Sequence, residues 1–247
     1  MKASPEAQLR LLEVTDIDAE LGRIEHRRRG LPEHEQIASL ETRDRELRDS
    51  IAELTARGSD LKREQAKAEA DVDQVRSRID RDRQRLDGGM VGSPRELENL
   101  QSEVVSLQRR QSDLEEIVLD VMERRETAQA SLDAATAELT RLEGELQALT
   151  AARDTALAEL AEQSAKATTR RAEVVAEVPA ELLDLYDRLR AQHGGVGAAA
   201  LRQRHCQGCH LTLNTVDLNA IRQAPADDVL RCEECRRILV RTPDSGL

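Results

Sequence analysis

Stepping alternately by three and four residues from Leu97 to Leu160 meets an apolar side chain at sixteen of nineteen stops, and the register never slips. The exceptions are Gln111, Arg125 and Arg153. The same stepping from Ile37 to Leu86 meets eleven apolar residues in fifteen, interrupted by Asp44, Gly58, Gln65 and Asp82. A 3.5-residue period held this long is the signature of coiled-coil helices. Polar seam positions of this kind set register and partner choice.

Between the two seams stands LDGGMVGSPRELENLQ, residues 86–101. Gly88 suits the position after a helix end, where φ is often positive. Ser93, Pro94 and Glu96 form a capping box with proline at the first helical position. Two seams joined by so short a break predict an antiparallel hairpin, with helices over about 33–87 and 94–176 and a tip at 88–93. The second helix would be roughly 120 Å long at 1.5 Å per residue. Leu86 should then face Leu97, and Arg125 should lie over Gly58, filling the space of the missing side chain.

Leu11, Val14, Ile17, Leu21 and Ile24 mark a first helix over about 5–28, ended by the Gly30-Leu31-Pro32 breaker. It should pack along the end of the long helix away from the tip. Val178-Pro179 stops that long helix. A short amphipathic helix over about 180–192 follows, with Leu182, Leu185, Tyr186 and Leu189 on one face. The expected domains are a coiled-coil hairpin over 1–192 and a small β domain over 193–247. The fold class is mainly α: a long antiparallel coiled-coil hairpin with a small C-terminal β zinc ribbon.

Composition sharpens this picture. The chain of 247 residues has no Phe or Trp and one Tyr, with 34% charged residues, which would suit disorder if the heptads did not exclude it. The net charge of −11 is concentrated in the helical part, because residues 201–247 carry seven Arg against six Asp and Glu. Such an acidic hairpin is unsuited to tracking a nucleic-acid backbone. No stretch reaches 18 apolar residues and no apolar signal core opens the chain, so a cytoplasmic protein without a membrane partner is expected.

Cys206, Cys209, Cys232 and Cys235 form two CxxC pairs with twenty-two residues between them. This spacing points to one tetrahedral structural zinc held by two knuckles on β-hairpins. Strands are expected over Val196–Arg204, Val229–Arg231 and Ile238–Arg241. Two matched pairs without a βαβ context argue against a redox dithiol. Four thiolates leave no open position for catalytic zinc. An iron–sulfur centre stays open on the ligand set alone. His205 and His210 flank the first pair as surface or supporting residues. A ribbon this small should draw much of its folding free energy from the metal.

Arg202 and Arg204 share a strand face, and Arg231, Arg236, Arg237 and Arg241 cluster at the second knuckle. These six are the candidate contacts for RNA or DNA phosphate. Asp227, Asp228, Glu233 and Glu234 sit among them, and no aromatic offers a base a stacking surface. Met90 and Val91 are the candidate contact point at the tip. No nucleophile–base pair, phosphate loop or open metal site is visible, so the chain reads as a non-enzyme. A factor that enters the RNA polymerase secondary channel would carry acids at its coil tip. Here GGMVG is neutral.

SPRELENLQ, GGVGAAALRQRHCQGCHLTL, CEECRRIL and LLEVTDIDAELGRIEHRRRGLPE together resemble the bacterial C4-type zinc-ribbon proteins with an N-terminal coiled-coil hairpin. The likeness spans essentially the whole chain. It implies a non-enzymatic adaptor or chaperone with a protein partner. Members have been linked to an alternative sigma factor, to flagellar or secretion functions, and to RNA binding through the ribbon. The alternative is an RNA- or DNA-binding regulator acting through the ribbon arginines.

Overall fold

In the computed structural model, residues 1–89 and 91–247 are described. The chain runs α1 (Pro5–Arg29), α2 (Pro32–Asp87), α3 (Pro94–Val175), α4 (Ala180–Gln192), β1 (Ala198–Arg202), β2 (His205–Cys206), α5 (Thr215–Gln223), β3 (Leu230–Arg231) and β4 (Ile238–Arg241). Two compact units form. One holds residues 36–149; the other holds residues 1–35 with 150–247. The boundary expected at 192–193 therefore falls inside the second unit, where sheet and helices share a core.

The 36–149 unit is the hairpin. Leu61, Val121 and Ala128 pack as one cluster between α2 and α3. Ion pairs follow the antiparallel register away from the tip: Arg85 with Glu96, Arg78 with Glu103, Arg76 with Glu115, Arg48 with Glu143. Such exposed pairs are worth about 0–1 kcal/mol each, so the seam carries the stability and the charges select the register. Arg125 does not cover Gly58. It donates to Gln65 Oε1 at 3.1 Å, and a Cβ at Gly58 would meet nothing within 4 Å. Leu97 remains 40% exposed although it sits on the seam.

At the hairpin turn, Glu96 N donates to Ser93 Oγ at 3.2 Å, as a capping box requires. The Glu96 carboxylate accepts from Gly92 N at 3.1 Å, one residue upstream of the usual partner. The left-handed residue is Gly89 (φ 65°), not Gly88. Gly88 N still bonds back to Gln84 O at 3.0 Å, which moves the reversal one residue on. Of the two candidate tip residues, Met90 lies outside the described residues and Val91 is half-buried.

The other unit is built around a four-stranded sheet of order β2-β1-β4-β3. β1 and β4 are parallel, while β1–β2 and β3–β4 are antiparallel. Successive residues point to opposite faces. Ala198, Ile238 and Val240 pack against Ala7, Leu11 and Val14 of α1 and Leu182, Tyr186 and Leu189 of α4. Ala199, Leu201 and Leu239 face the other way, against Leu218 and Ile221 of α5 and the Cys206 and Cys232 thiols. Gly197 is required where β1 begins, because a Cβ there would lie 2.4 Å from Tyr186 O. Residues 1–3 pair with 227–229: Ala3 N donates to Asp227 O at 2.8 Å and Val229 N to Met1 O at 3.2 Å.

One buried carboxylate ties three helices together. Asp18 of α1 has no exposed side-chain surface. It accepts from Arg171 Nε of α3 at 2.7 Å and from Tyr186 Oη of α4 at 2.8 Å, with Arg190 Nε 3.2 Å away. Arg171 and Arg190 compensate the buried charge. Alone, it would cost several kcal/mol. Burial, reinforced by the hydrogen bond to Asp18, pushes the Tyr186 phenol well above its ordinary value.

A folded-state value raised above the unfolded one, about 10, contributes stability that is full below that pH and lost as pH rises through the folded value. Tyr186 is the sole aromatic residue of Phe, Trp and Tyr in the chain, so its ionisation can be read directly. In an alkaline titration, the phenolate absorbance should appear only as helical circular dichroism is lost. Ionisation near pH 10 with the fold intact would show that the phenol is not held this way.

Candidate metal centre

The parallel pairing of β1 with β4 sets Ala198–Leu201 beside Ile238–Arg241, so the first cysteine pair lies next to the second. The expected first strand, Val196–Arg204, is instead a hairpin. It reverses at Gln203 and Arg204, both with positive φ (45° and 65°), and returns as β2 into Cys206. The first knuckle then turns through Gly208 and closes where His205 bridges Thr212. The second knuckle lies between β3 and β4, the hairpin arrangement the spacing suggested.

All four Sγ atoms lie within 4.8 Å of one another. Cys206 Sγ is 3.8 Å from Cys235 Sγ, and Cys209 Sγ is 3.9 Å from Cys232 Sγ. A tetrahedral ion with metal–sulfur bonds of about 2.3 Å has sulfur–sulfur edges of about 3.8 Å. A disulfide would need about 2.05 Å. The donor set therefore fits one tetrahedral metal ion. Backbone amides approach the sulfurs, those of Gly208 and Cys209 at Cys206 and those of Glu234 and Cys235 at Cys232. Burial pushes the Cys206 thiol up to about 12 and also raises Cys232. Burial pushes Cys235 up too, but hydrogen bonds from the Arg237 amide and guanidinium and from the Cys232 and Cys206 thiols together outweigh it and bring the thiol down to about 7.

The six arginines separate into two groups. Arg237 is committed to the fold: its guanidinium donates to Val196 O at 3.0 Å, Gly208 O at 3.2 Å and His193 O at 3.1 Å. These carbonyls come from the approach to β1, the first knuckle and the end of α4. Gly208 makes room for it, since a Cβ there would lie 2.9 Å from Arg237 Cδ. Arg241 is similarly occupied, donating to Ala224 O at 2.8 Å and Ile221 O at 3.3 Å, carbonyls at the end of α5. Neither has its donor fork turned to a phosphate. Arg202, Arg204, Arg231 and Arg236 are exposed. Of these, Arg204 Nε reaches Gly246 O, Arg231 Nε reaches Arg236 O, and Arg236 pairs with Glu233 at 2.8 Å. His205 is held by Gln203 O and Thr212 Oγ1, and His210 is exposed. Neither belongs to the four-sulfur cluster.

Helix α5, absent from the sequence expectation, covers the thiol side of the sheet. Its signal was present: Asn214 caps it, accepting from Asp217 N at 2.8 Å, and Leu218 and Ile221 stand three apart on the buried face.

The match to the CT398-like coiled coil hairpin domain covers residues 14–194, and the match to the C4-type zinc ribbon domain covers residues 205–239. The chain belongs to this coiled-coil hairpin and zinc-ribbon family. Among its relatives, the Mycobacterium tuberculosis protein Rv2229c is 38% identical over 241 residues, covering 98% of each chain. A Mycobacterium smegmatis structure is 38% identical with a TM-score of 0.83, covering 98% of this chain and 100% of the other. CT398 from Chlamydia trachomatis shares the fold at 19% identity, with a TM-score of 0.71 over 96% of this chain and 98% of that one.

Arg237→Ala should lower stability by about 3 kcal/mol, because it strips three carbonyls of a charged donor. It should also weaken metal retention against a competing chelator, while Arg236→Ala leaves both unchanged. Denaturant midpoints and metal content check this. An Arg237→Ala protein as stable and metal-retentive as the wild type would contradict the assignment.

Proposed function

We propose that this protein is a non-enzymatic adaptor. It holds one structural zinc ion through Cys206, Cys209, Cys232 and Cys235 and binds a protein partner through its hairpin and ribbon. The single observation that carries this reading is the closed thiol cluster. Four sulfurs at tetrahedral spacing fill the coordination of a zinc ion and leave no position for water or substrate. Free, metal-spaced cysteines also suit a reducing compartment such as the cytoplasm. No helix among the described residues is long and apolar enough to cross a membrane.

A second reading has a specific observation in its favour. Arg202 and His205 line one polar recess with Gln203 and Gln207, and Arg236 is exposed at the second knuckle. RNA or DNA phosphate would be held there, with an affinity that falls as salt rises. Arg237 and Arg241 would take no part, since backbone carbonyls occupy them.

The two readings separate in a crosslinking pull-down from native cells that retains RNA. Wild type is compared with Arg202→Ala/Arg236→Ala, which leaves the sheet intact. Deleting the ribbon would instead uncover the α1 and α4 face. The adaptor reading expects the same specific protein partner from both proteins. RNA enriched by wild type and lost from the arginine variant, with no protein partner, would replace it with the second reading.

A further inference from the structure

Within the hairpin unit, one side of the α2–α3 seam is open. Two recesses of about 440 and 270 Å³ lie along α2 from Gln65 to Arg76 and along α3 from Glu115 to Gln129. Val72 and Val118 floor the first. Leu119 and Met122, one turn apart, flank the recesses at 60% and 38% exposure. Leu119 stands outside the heptad positions, so packing α2 on α3 does not explain it. The rim carries Glu69, Asp73, Glu115 and Glu126. Arg76 pairs with Glu115 at 2.6 Å and Arg125 donates to the neutral Gln65 amide at 3.1 Å, so four carboxylates stand against two guanidiniums and the rim is net acidic. Hydrogen bonds from Gln111 and Arg76 hold the Glu115 carboxyl below its usual range, so this rim charge persists at neutral pH.

We propose that this groove docks an amphipathic helix of a partner protein, with an apolar stripe flanked by Lys or Arg. The inference rests on the adaptor reading and names where and what it would bind. A helix laid between two antiparallel helices buries its stripe as the third member of a bundle, the usual helix-in-groove mode. Residues 115–129 span about 21 Å at 1.5 Å per residue, enough for a partner helix of roughly four turns. The acidic rim selects the sign: a basic flank is attracted, whereas an acidic one is repelled. The same repulsion disfavours a second copy of this acidic hairpin as the occupant.

The test uses the full chain and two labelled, helix-forming peptides of about four turns. They share one Leu stripe, flanked by Lys in one peptide and by Glu in the other. Fluorescence anisotropy should show saturable binding of the Lys peptide, at least tenfold tighter than the Glu peptide and weakened by salt. Leu119→Ser/Met122→Ser should weaken it at least tenfold. Ile117→Ser, at an apolar residue of α3 outside the recesses whose exposure, 46%, lies between those of Leu119 and Met122, should not. Unchanged helical content and melting would show that the variants stay folded. No saturable binding, equal binding of the two peptides, or binding indifferent to the Leu119/Met122 change would overturn the proposal. So would concentration-dependent self-association that the same change abolishes. In the native-cell pull-down, a partner retained by Leu119→Ser/Met122→Ser would overturn the groove and leave the adaptor reading standing. Wild type that captures no specific protein would overturn both.

Discussion

The parallel pairing of β1 with β4 is the contact on which the unit that carries the four thiols depends. It places two cysteine pairs, separated by twenty-two residues of sequence, around one point. It also creates a sheet with two different faces. Strands of two to five residues cannot bury a core by themselves. One face is therefore covered by Leu11, Val14, Leu182 and Tyr186 of the helices, the other by α5 and the thiols. The ribbon is one layer of a shared core, with the thiol cluster on the face opposite α1 and α4.

That arrangement decides what the arginines do. Arg236 and Arg237 are neighbours in sequence with the same charge, yet one pairs with an exposed glutamate and the other joins three segments of backbone. The difference comes from the sheet: Arg237 is half-buried beside β1 and the first knuckle, where its planar fork meets carbonyls that would otherwise be costly to bury. Charge on the hairpin is arranged differently. Pairs such as Arg78–Glu103 bridge α2 and α3 in register, while an acidic rim with an apolar floor is left along one side.

Local signals were legible in the sequence, and long-range ones were not. The heptads, the Gly30-Leu31-Pro32 break and the Ser93-Pro94 cap place the helix ends within one residue of those observed, because periodicity and capping are local physics. The cysteine spacing announced the thiol cluster for the same reason. Helix α5 was passed over because a nine-residue segment with two buried positions carries little periodic signal. The left-handed residue was misplaced from Gly89 to Gly88 because adjacent glycines are equally permissive and only the hydrogen bond to Gln84 O distinguishes them. The docking of sheet on helices, the Asp18–Tyr186 bond and the role of Arg237 join residues far apart in the chain, where a single sequence is silent.

The four thiols and the helices α1 and α4 belong to one folded core, and Tyr186 reports on it directly. It lies on the sheet face opposite the thiols and is the chain's only tyrosine, with no tryptophan to mask it. The measurement is acrylamide quenching of Tyr186 emission while a chelator strips the metal from the intact protein. Tyr186 should become quenchable in step with metal release and be protected again when zinc is restored. A Tyr186 that stays protected after complete metal removal would contradict a shared core.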